Sequence, residues 1–142
     1  MKKRVYLGGA MTHLTKDQYS YWRSYVQKMI ECGAVNAECF NPANHFDFED
    51  VTNGYITDKQ AMDIDLYNLR RSDVLLANFS LFAKSLGTMA ELAIAFDRNI
   101  PIIGVNASEE ELHPWIEAMC TKIFNNLDDA VEYIVNHYLD VY

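Results

Sequence analysis

The chain has 142 residues, half of them hydrophobic and 23% charged, with a formal net charge of -8. That length suits a single domain over residues 1–142, long enough to bury a real core and too short for two. The acidic balance excludes a nucleic-acid polymer as partner, since neutralising a phosphate backbone takes a basic surface, but one small phosphorylated ligand needs only local donors.

The opening "MKKRVYLGGAM" has basic residues but only a short apolar run. It reads as a first strand over "RVYL", ending at Gly8-Gly9, and not as a secretory signal. From Lys16 to Cys32, Trp22, Tyr25, Val26, Met29 and Ile30 recur at helical spacing, with Gly33 as the stop. Trp22 and Tyr25 are expected in the core. "AECF" makes a second strand, ended by Asn41-Pro42. The stretch from Ala43 to Ile56 carries turn residues and aromatics without a clean period, which predicts a loop over the molecule's top. Thr57 and Gln60 form a T-x-x-Q capping box that opens a helix to about Arg71.

"DVLLANF" is a nearly continuous apolar strand of the kind buried on both faces of a parallel sheet, with Asp73 at its start. Ser85–Phe96 leads into a helix that ends near Asn99-Ile100-Pro101. "IIGV" is a fourth strand, Ser108 and Glu111 predict another capped helix, and "TKIF" is a fifth strand. Asp128 to Leu139 closes the chain as a helix, with Ala130, Val131, Ile134 and Val135 on one stripe.

Strands alternating with helices predict an α/β fold, a parallel sheet with right-handed crossovers and helices on both faces. Ligands of such sheets bind beyond the carboxyl ends of the strands. That rule selects Gly8 to His13, Asn41 to His45, Ser80 to Thr88, and Asn106. No stretch approaches the roughly 18 apolar residues of a membrane span. Cys32, Cys39 and Cys120 show no CxxC pairing, and the four histidines lack metal-ligand spacing. A soluble, cytoplasmic protein with free thiols, no metal and no cofactor is expected.

Gly8-Gly9 permits a tight turn and close backbone approach to a ligand. It belongs to neither GxGxxG nor GxxxxGK[ST], so dinucleotide and P-loop readings fail. Ser85, Gly87 and Thr88 lie where a strand hands over to a helix, a place that attracts anions through backbone N–H groups and hydroxyls. Thr88-x-x-Glu91 is also a capping box, so the pattern leaves Glu91 open as cap or as functional carboxylate. Asp63 and Asp65 precede Arg70 and Arg71 on a helix, where a solvated, paired face is the plain reading. Tyr6, between Val5 and Leu7, reads as a core tyrosine.

Taken together, "VYLGGAM", "DLYNLRRSDVLLANF" and "SLGTMAELAIAFDRNIPIIGV" resemble the nucleoside 2-deoxyribosyltransferase family, which includes base-exchanging transferases and hydrolases of nucleoside 5'-monophosphates. The resemblance runs from Val5 to about Val105. It implies a flavodoxin-like five-stranded sheet in the order 2-1-3-4-5. It implies Glu91 as nucleophile, Asp65 as the aspartate that orients the sugar and assists the leaving base, and Tyr6 as the aromatic beside the nucleophile. Gly8, Gly9, Ser85, Gly87, Thr88 and Asn106 are the expected substrate-binding residues.

Ser85 is the informative departure. Base-exchanging members often carry aspartate there for a free 5'-hydroxyl, whereas the hydrolases carry serine, in the same S-L-G order, for a 5'-phosphate. A second carboxylate would repel a phosphate and a hydroxyl attracts it, so serine favours the nucleotide. Ala93 replaces the family's glycine after "EL". The second phosphate-binding serine that hydrolases borrow from a neighbouring subunit has no match around His113. Val141-Tyr142 resembles the transferases' end.

The resemblance thus implies cleavage of (2'-deoxy)nucleoside 5'-monophosphates through a glycosyl-Glu91 ester, in a homodimer or larger homo-oligomer, with free base released. Base exchange between deoxynucleosides and a non-catalytic nucleotide sensor are the alternatives. A phosphoribohydrolase would carry a longer glycine-rich run. A glutamate at N3 would also be held ionised by the helix N-terminus, so capping and attack need not conflict.

Overall fold

The computed structural model describes residues 2–45 and 51–142. β1 (Lys3–Gly9) lies between β3 (Ala37–Phe40) and β4 (Val74–Asn78), and β5 (Ile102–Val105) and β6 (Lys122–Phe124) follow, all parallel. The sheet order is β3-β1-β4-β5-β6. A small antiparallel pair, β2 (Ala34–Val35) with β7 (Asp140–Val141), was not foreseen from the sequence. With that pair set aside, the parallel strands run 2-1-3-4-5, the order the resemblance implied.

Among the described residues, five helices flank the sheet: α1 (Lys16–Gly33), α2 (Asp58–Arg70), α3 (Leu86–Asp97), α4 (Pro114–Met119) and α5 (Leu127–Tyr138). The two-residue period of a strand assigns the faces. Val5, Leu7, Val74 and Leu76 point to α1 and α5, where Val26, Ile30, Val131 and Ile134 meet them. Tyr6, Leu75 and Ala77 point the other way, to Leu69 of α2, Leu92 and Ala95 of α3, and Ile116 of α4. Burial of this aliphatic and aromatic surface holds the layers together, at roughly 25 cal/mol per Å² removed from water. Among the described residues, no helix is long and apolar enough to cross a membrane.

The caps fix where helices begin. Thr57 Oγ1 accepts the N–H of Gln60 at 3.1 Å and Gln60 Oε1 accepts the N–H of Thr57, completing the expected box. Thr15 and Gln18 make a second box at the start of α1. The tail of the chain is pinned by Asn126, whose side chain accepts the N–H of Asp129 at 2.8 Å.

Several expectations are corrected. β1 continues through Gly8 and Gly9, so the glycines end the strand and are not a turn after it. Tyr25 is half exposed and donates to Asp128 at 2.7 Å, because α1 buries Tyr19, Arg23, Val26 and Ile30 instead. Ser108 and Glu111 open no helix. Asn106 Oδ1 accepts the Ser108 hydroxyl and backbone N–H, which closes a turn, and α4 starts at Pro114 behind an N-cap at His113. In the predicted loop, Pro42–Asn44 forms a short 3-10 turn, and residues 46–50 lie outside the described residues.

Candidate active site

The carboxyl end of β1, the loop after β4 and the start of α3 border a cleft of about 580 Å³. That volume lies in the range of small-molecule sites. α3 begins at Ser85, whose Oγ accepts the N–H of Thr88 at 3.3 Å and the Thr88 hydroxyl at 3.1 Å. Ser85, not Thr88, is therefore the N-cap. Glu91 becomes the sixth residue of the helix and takes no part in capping. Thr88, Leu92 and Ala95 are buried at helical spacing, so the same face carries Glu91 down toward the sheet.

On β1, Tyr6 shares a face with Gly8 and is completely buried. Its hydroxyl donates to Glu91 Oε2, and its ring stacks on Phe40 with 5.3 Å between centroids. A Cβ on Gly8 would sit 3.5 Å from Glu91 Oε1 and 3.0 Å from a Leu75 methyl, so the glycine leaves room for the carboxylate. From α2, Asp65 faces the same cleft, and its buried Oδ1 has no hydrogen-bond partner among the described residues. An unpartnered buried carboxyl oxygen is costly, which is the mark of a group placed for a ligand and not for the fold.

Burial dominates the electrostatics. It pushes the Glu91 carboxyl up to about 7. The hydrogen bond from Tyr6 and the charge of Arg23 oppose that rise, and the charge of Asp65 adds to it. Burial pushes Asp65 up to about 7 as well, opposed by Arg23. The Tyr6 hydroxyl is raised far above its ordinary range by burial and then by the charges of Glu91 and Asp65, so it is a donor throughout the physiological range. The T-x-x-E pattern predicts a helix N-terminus that holds Glu91 ionised. Instead, desolvation wins, because Glu91 sits beyond the first turn where that field acts.

Glu91, Asp65, Gly9, Ser85, Gly87 and Thr88 all border the cleft, with Tyr6 and Gly8 packed beneath Glu91. Asn106 does not border it. It lines a separate hollow beside β6 and donates to the Glu110 carbonyl at 3.0 Å. Ala93 lies on the exposed side of α3, away from the cleft. The plain reading of Asp63 holds in part: it pairs with Lys59 at 2.7 Å, not with an arginine.

Sequence reasoning missed Arg23 outright; Lys84 and His13, which also border the cleft, fall within the selected segments Ser80 to Thr88 and Gly8 to His13 but were not singled out as site residues. Arg23 interrupts the buried stripe Tyr19, Val26, Ile30, and a cation at that register was the available signal. Lys84 directly precedes the N-cap Ser85. His13 has φ 71°, the left-handed region, and sets its ring edge-on to Phe82 at the cleft wall.

Two carboxyls, a phenol donor to one of them and an anion-attracting helix start share one cleft, a set suited to acid–base and nucleophilic work on a small polar molecule. No curated protein matches the chain at a significant level. Solved structures do. A 2-deoxyribosyltransferase from Bacillus psychrosaccharolyticus superimposes with a TM-score of 0.70 at 15% identity, covering 98% of each chain. One from Leishmania mexicana gives 0.72 at 17%, covering 96% of this chain and 99% of that one. A CMP N-glycosidase from Clostridium botulinum gives 0.60 at 17%, covering 96% and 100%. These likenesses establish a shared fold. The sequence profile of one family, described as nucleoside 2-deoxyribosyltransferase, matches residues 5–133, and the chain belongs to that enzyme family.

Proposed function

We propose that the chain cleaves the N-glycosidic bond of 2'-deoxynucleoside 5'-monophosphates in two retaining steps. The observation that carries this reading is the pairing of Tyr6 with Glu91 beside Asp65, whose buried Oδ1 has no partner among the described residues. Near neutral pH the two carboxyls are biased apart. Burial brings both to about 7; Glu91 also receives a hydrogen bond that favours its ionised form, whereas among the described residues none reaches Asp65 Oδ1, so in this reading the proton rests on Asp65. An Oε of Glu91 attacks C1', the C1'–N bond breaks, and Asp65 gives its proton to the departing base nitrogen. Water then attacks C1', the ester to Glu91 breaks, and the proton of that water returns to Asp65.

Ser85 supports the 5'-phosphate. Its Oγ accepts both hydrogen bonds from Thr88, which leaves its own hydroxyl hydrogen for an anion. The N–H groups of Leu86 and Gly87 at the helix start and the nearby Lys84 ammonium add to the attraction. Ser85→Asp should therefore cost far more turnover on a monophosphate than on the matching nucleoside, and equal losses would remove the phosphate assignment.

The test of the reaction is chromatography of a nucleotide and nucleoside panel with and without a free acceptor base. Free base released without acceptor supports hydrolysis. A new nucleoside formed only with acceptor makes the chain a base-exchanging transferase, and binding without turnover makes it a sensor. A homodimer or larger assembly fits the large apolar side chains that α3 and α4 expose, Leu86, Phe96 and Trp115. Light scattering at working concentration tests that, and a monomer would contradict it.

A further inference from the structure

Arg23 is the largest of the fully buried side chains among the described residues, 1% exposed, yet it borders the cleft. A guanidinium is rarely buried without strong compensation. Here its hydrogen bonds go to backbone carbonyls. The register of β1 explains why. β1 pairs with β3 only as far as Tyr6 opposite Phe40, whereas its pairing with β4 continues to Gly9 opposite Asn78. Leu7, Gly8 and Gly9 thus overhang with a sheet neighbour on one side. Arg23 Nε donates to the Leu7 carbonyl at 3.1 Å and Nη2 to the Gly9 carbonyl at 2.9 Å, while Nη1 holds the Tyr19 carbonyl of its own helix.

This staple ends directly beneath the nucleophile. The overhang contains Gly8, whose missing side chain makes room for Glu91, and Gly9, which borders the cleft. A Cβ on Gly9 would meet the Asn78 carbonyl and the Trp22 ring, each at 3.0 Å. The Trp22 ring lies 4.6 Å from the guanidinium carbon and adds a cation–π contact. The titratable groups that act on Arg23 come from four elements: Glu91 of α3, Tyr6 of β1, Asp65 of α2 and Tyr19 of α1. Arg23 is the one cation in this set, and three of its members form the chemical centre.

We propose that Arg23 is a positioning residue of the catalytic centre, holding the overhanging end of β1 under Glu91 and supplying the positive charge that favours the ionised, attacking carboxylate. The proposal rests on the reading of Glu91 as nucleophile, and it has a consequence that a merely structural arginine lacks. Burial drives the Glu91 carboxyl upward and Arg23 opposes it. Removing the charge therefore moves the ionisation of Glu91 to higher pH, and the acid limb of kcat/KM moves with it.

The test follows the carboxyl of Glu91 by NMR in protein labelled with carbon-13 glutamate, the signal being assigned by its loss in Glu91→Gln. In Arg23→Gln the midpoint should rise by about one pH unit or more, with the acid limb of base release displaced equally. Arg23→Lys keeps the charge but offers no fork for two carbonyls, so its midpoint should stay near the parent's while kcat/KM falls severalfold. Should Arg23→Gln not fold, the unmutated protein supplies the test. The Arg23 Nε–H signal should shift through the Glu91 titration and stay flat over that range in Glu91→Gln. A folded Arg23→Gln with an unmoved midpoint, or an Arg23 signal indifferent to Glu91 in the parent, would overturn the proposal. The midpoint is read on the carboxyl itself, so a protein that releases no base refutes the glycosidase reading separately from the coupling of Arg23 to Glu91.

Discussion

The two faces of the sheet are built from alternate residues of the same strands, yet only one meets the reactive carboxyls. Against α1 and α5 the contacts are mostly aliphatic: Val5, Leu7, Val26, Ile30, Leu76, Val131 and Ile134. Against α2, α3 and α4 the strands present Tyr6, Leu75 and Ala77, with Phe79 just past the end of β4, and here Glu91 and Asp65 are brought out of water. The first face is inexpensive to build and gives stability. The second accepts the cost of buried carboxyls, and that cost raises both into the range where a proton can be exchanged near neutral pH. A one-residue register slip of β1 would exchange the faces, which is why Arg23, tied to Leu7 and Gly9, matters to a site on the far side of the strand.

The sharpest way to break this division is Glu91→Gln. Glutamine keeps the shape and still accepts from Tyr6 but cannot form a glycosyl ester, so turnover should fall by about four orders of magnitude or more in a folded protein. Because Ser85 caps α3, the helix should be unaffected. Ile134→Ala tests the opposite face. Ile134 is completely buried among aliphatic neighbours, and its truncation should cost about 2–5 kcal/mol in denaturant unfolding with kcat unchanged in the folded fraction. Asp65→Asn should lower kcat by about 10²-fold, because it retains hydrogen bonding but loses the transferable proton. A kcat equal to the parent's would return Asp65 to a plain helix face.

The smallest effect concerns pH. Both carboxyls rise, from 4.5 for Glu91 and 3.8 for Asp65, to about 7 in the fold. The folded state binds these protons more tightly, so their contribution to stability is complete below about pH 4 and is lost as pH climbs through about 7. Melting temperature should thus drop between pH 5 and 8, and Glu91→Gln should drop less, by a few degrees. Parallel declines would show that Glu91 is not the group being ionised.

Much of this was legible in the chain. Continuous apolar runs such as "VLLAN" and the box at Thr57 and Gln60 gave the parallel sheet and the helix of Asp65, since both signals are local. The family motifs brought Glu91, Asp65 and Tyr6 to one place. The misses have local causes too. Ser85 and Thr88 both offer a hydroxyl at a helix start, and only the preceding chain path decides which one caps. Arg23 was overlooked because a helical stripe is read from apolar residues, and here the buried position is a cation whose acceptors, the Leu7 and Gly9 carbonyls, exist only once β1 outruns β3. Glu91's upward shift was equally hidden, because desolvation is a property of the packed fold and not of a four-residue pattern.

The central claim is that Glu91 becomes covalently bonded to the sugar. The most direct measurement is intact and peptide mass spectrometry after incubation with a slowly turned-over 2'-fluoro-2'-deoxynucleoside 5'-monophosphate. One added fluorodeoxyribose phosphate should map to the peptide at Glu91 in the parent and be missing in Glu91→Gln. Base release in the parent with no adduct on Glu91, or the same adduct persisting in Glu91→Gln, would contradict it.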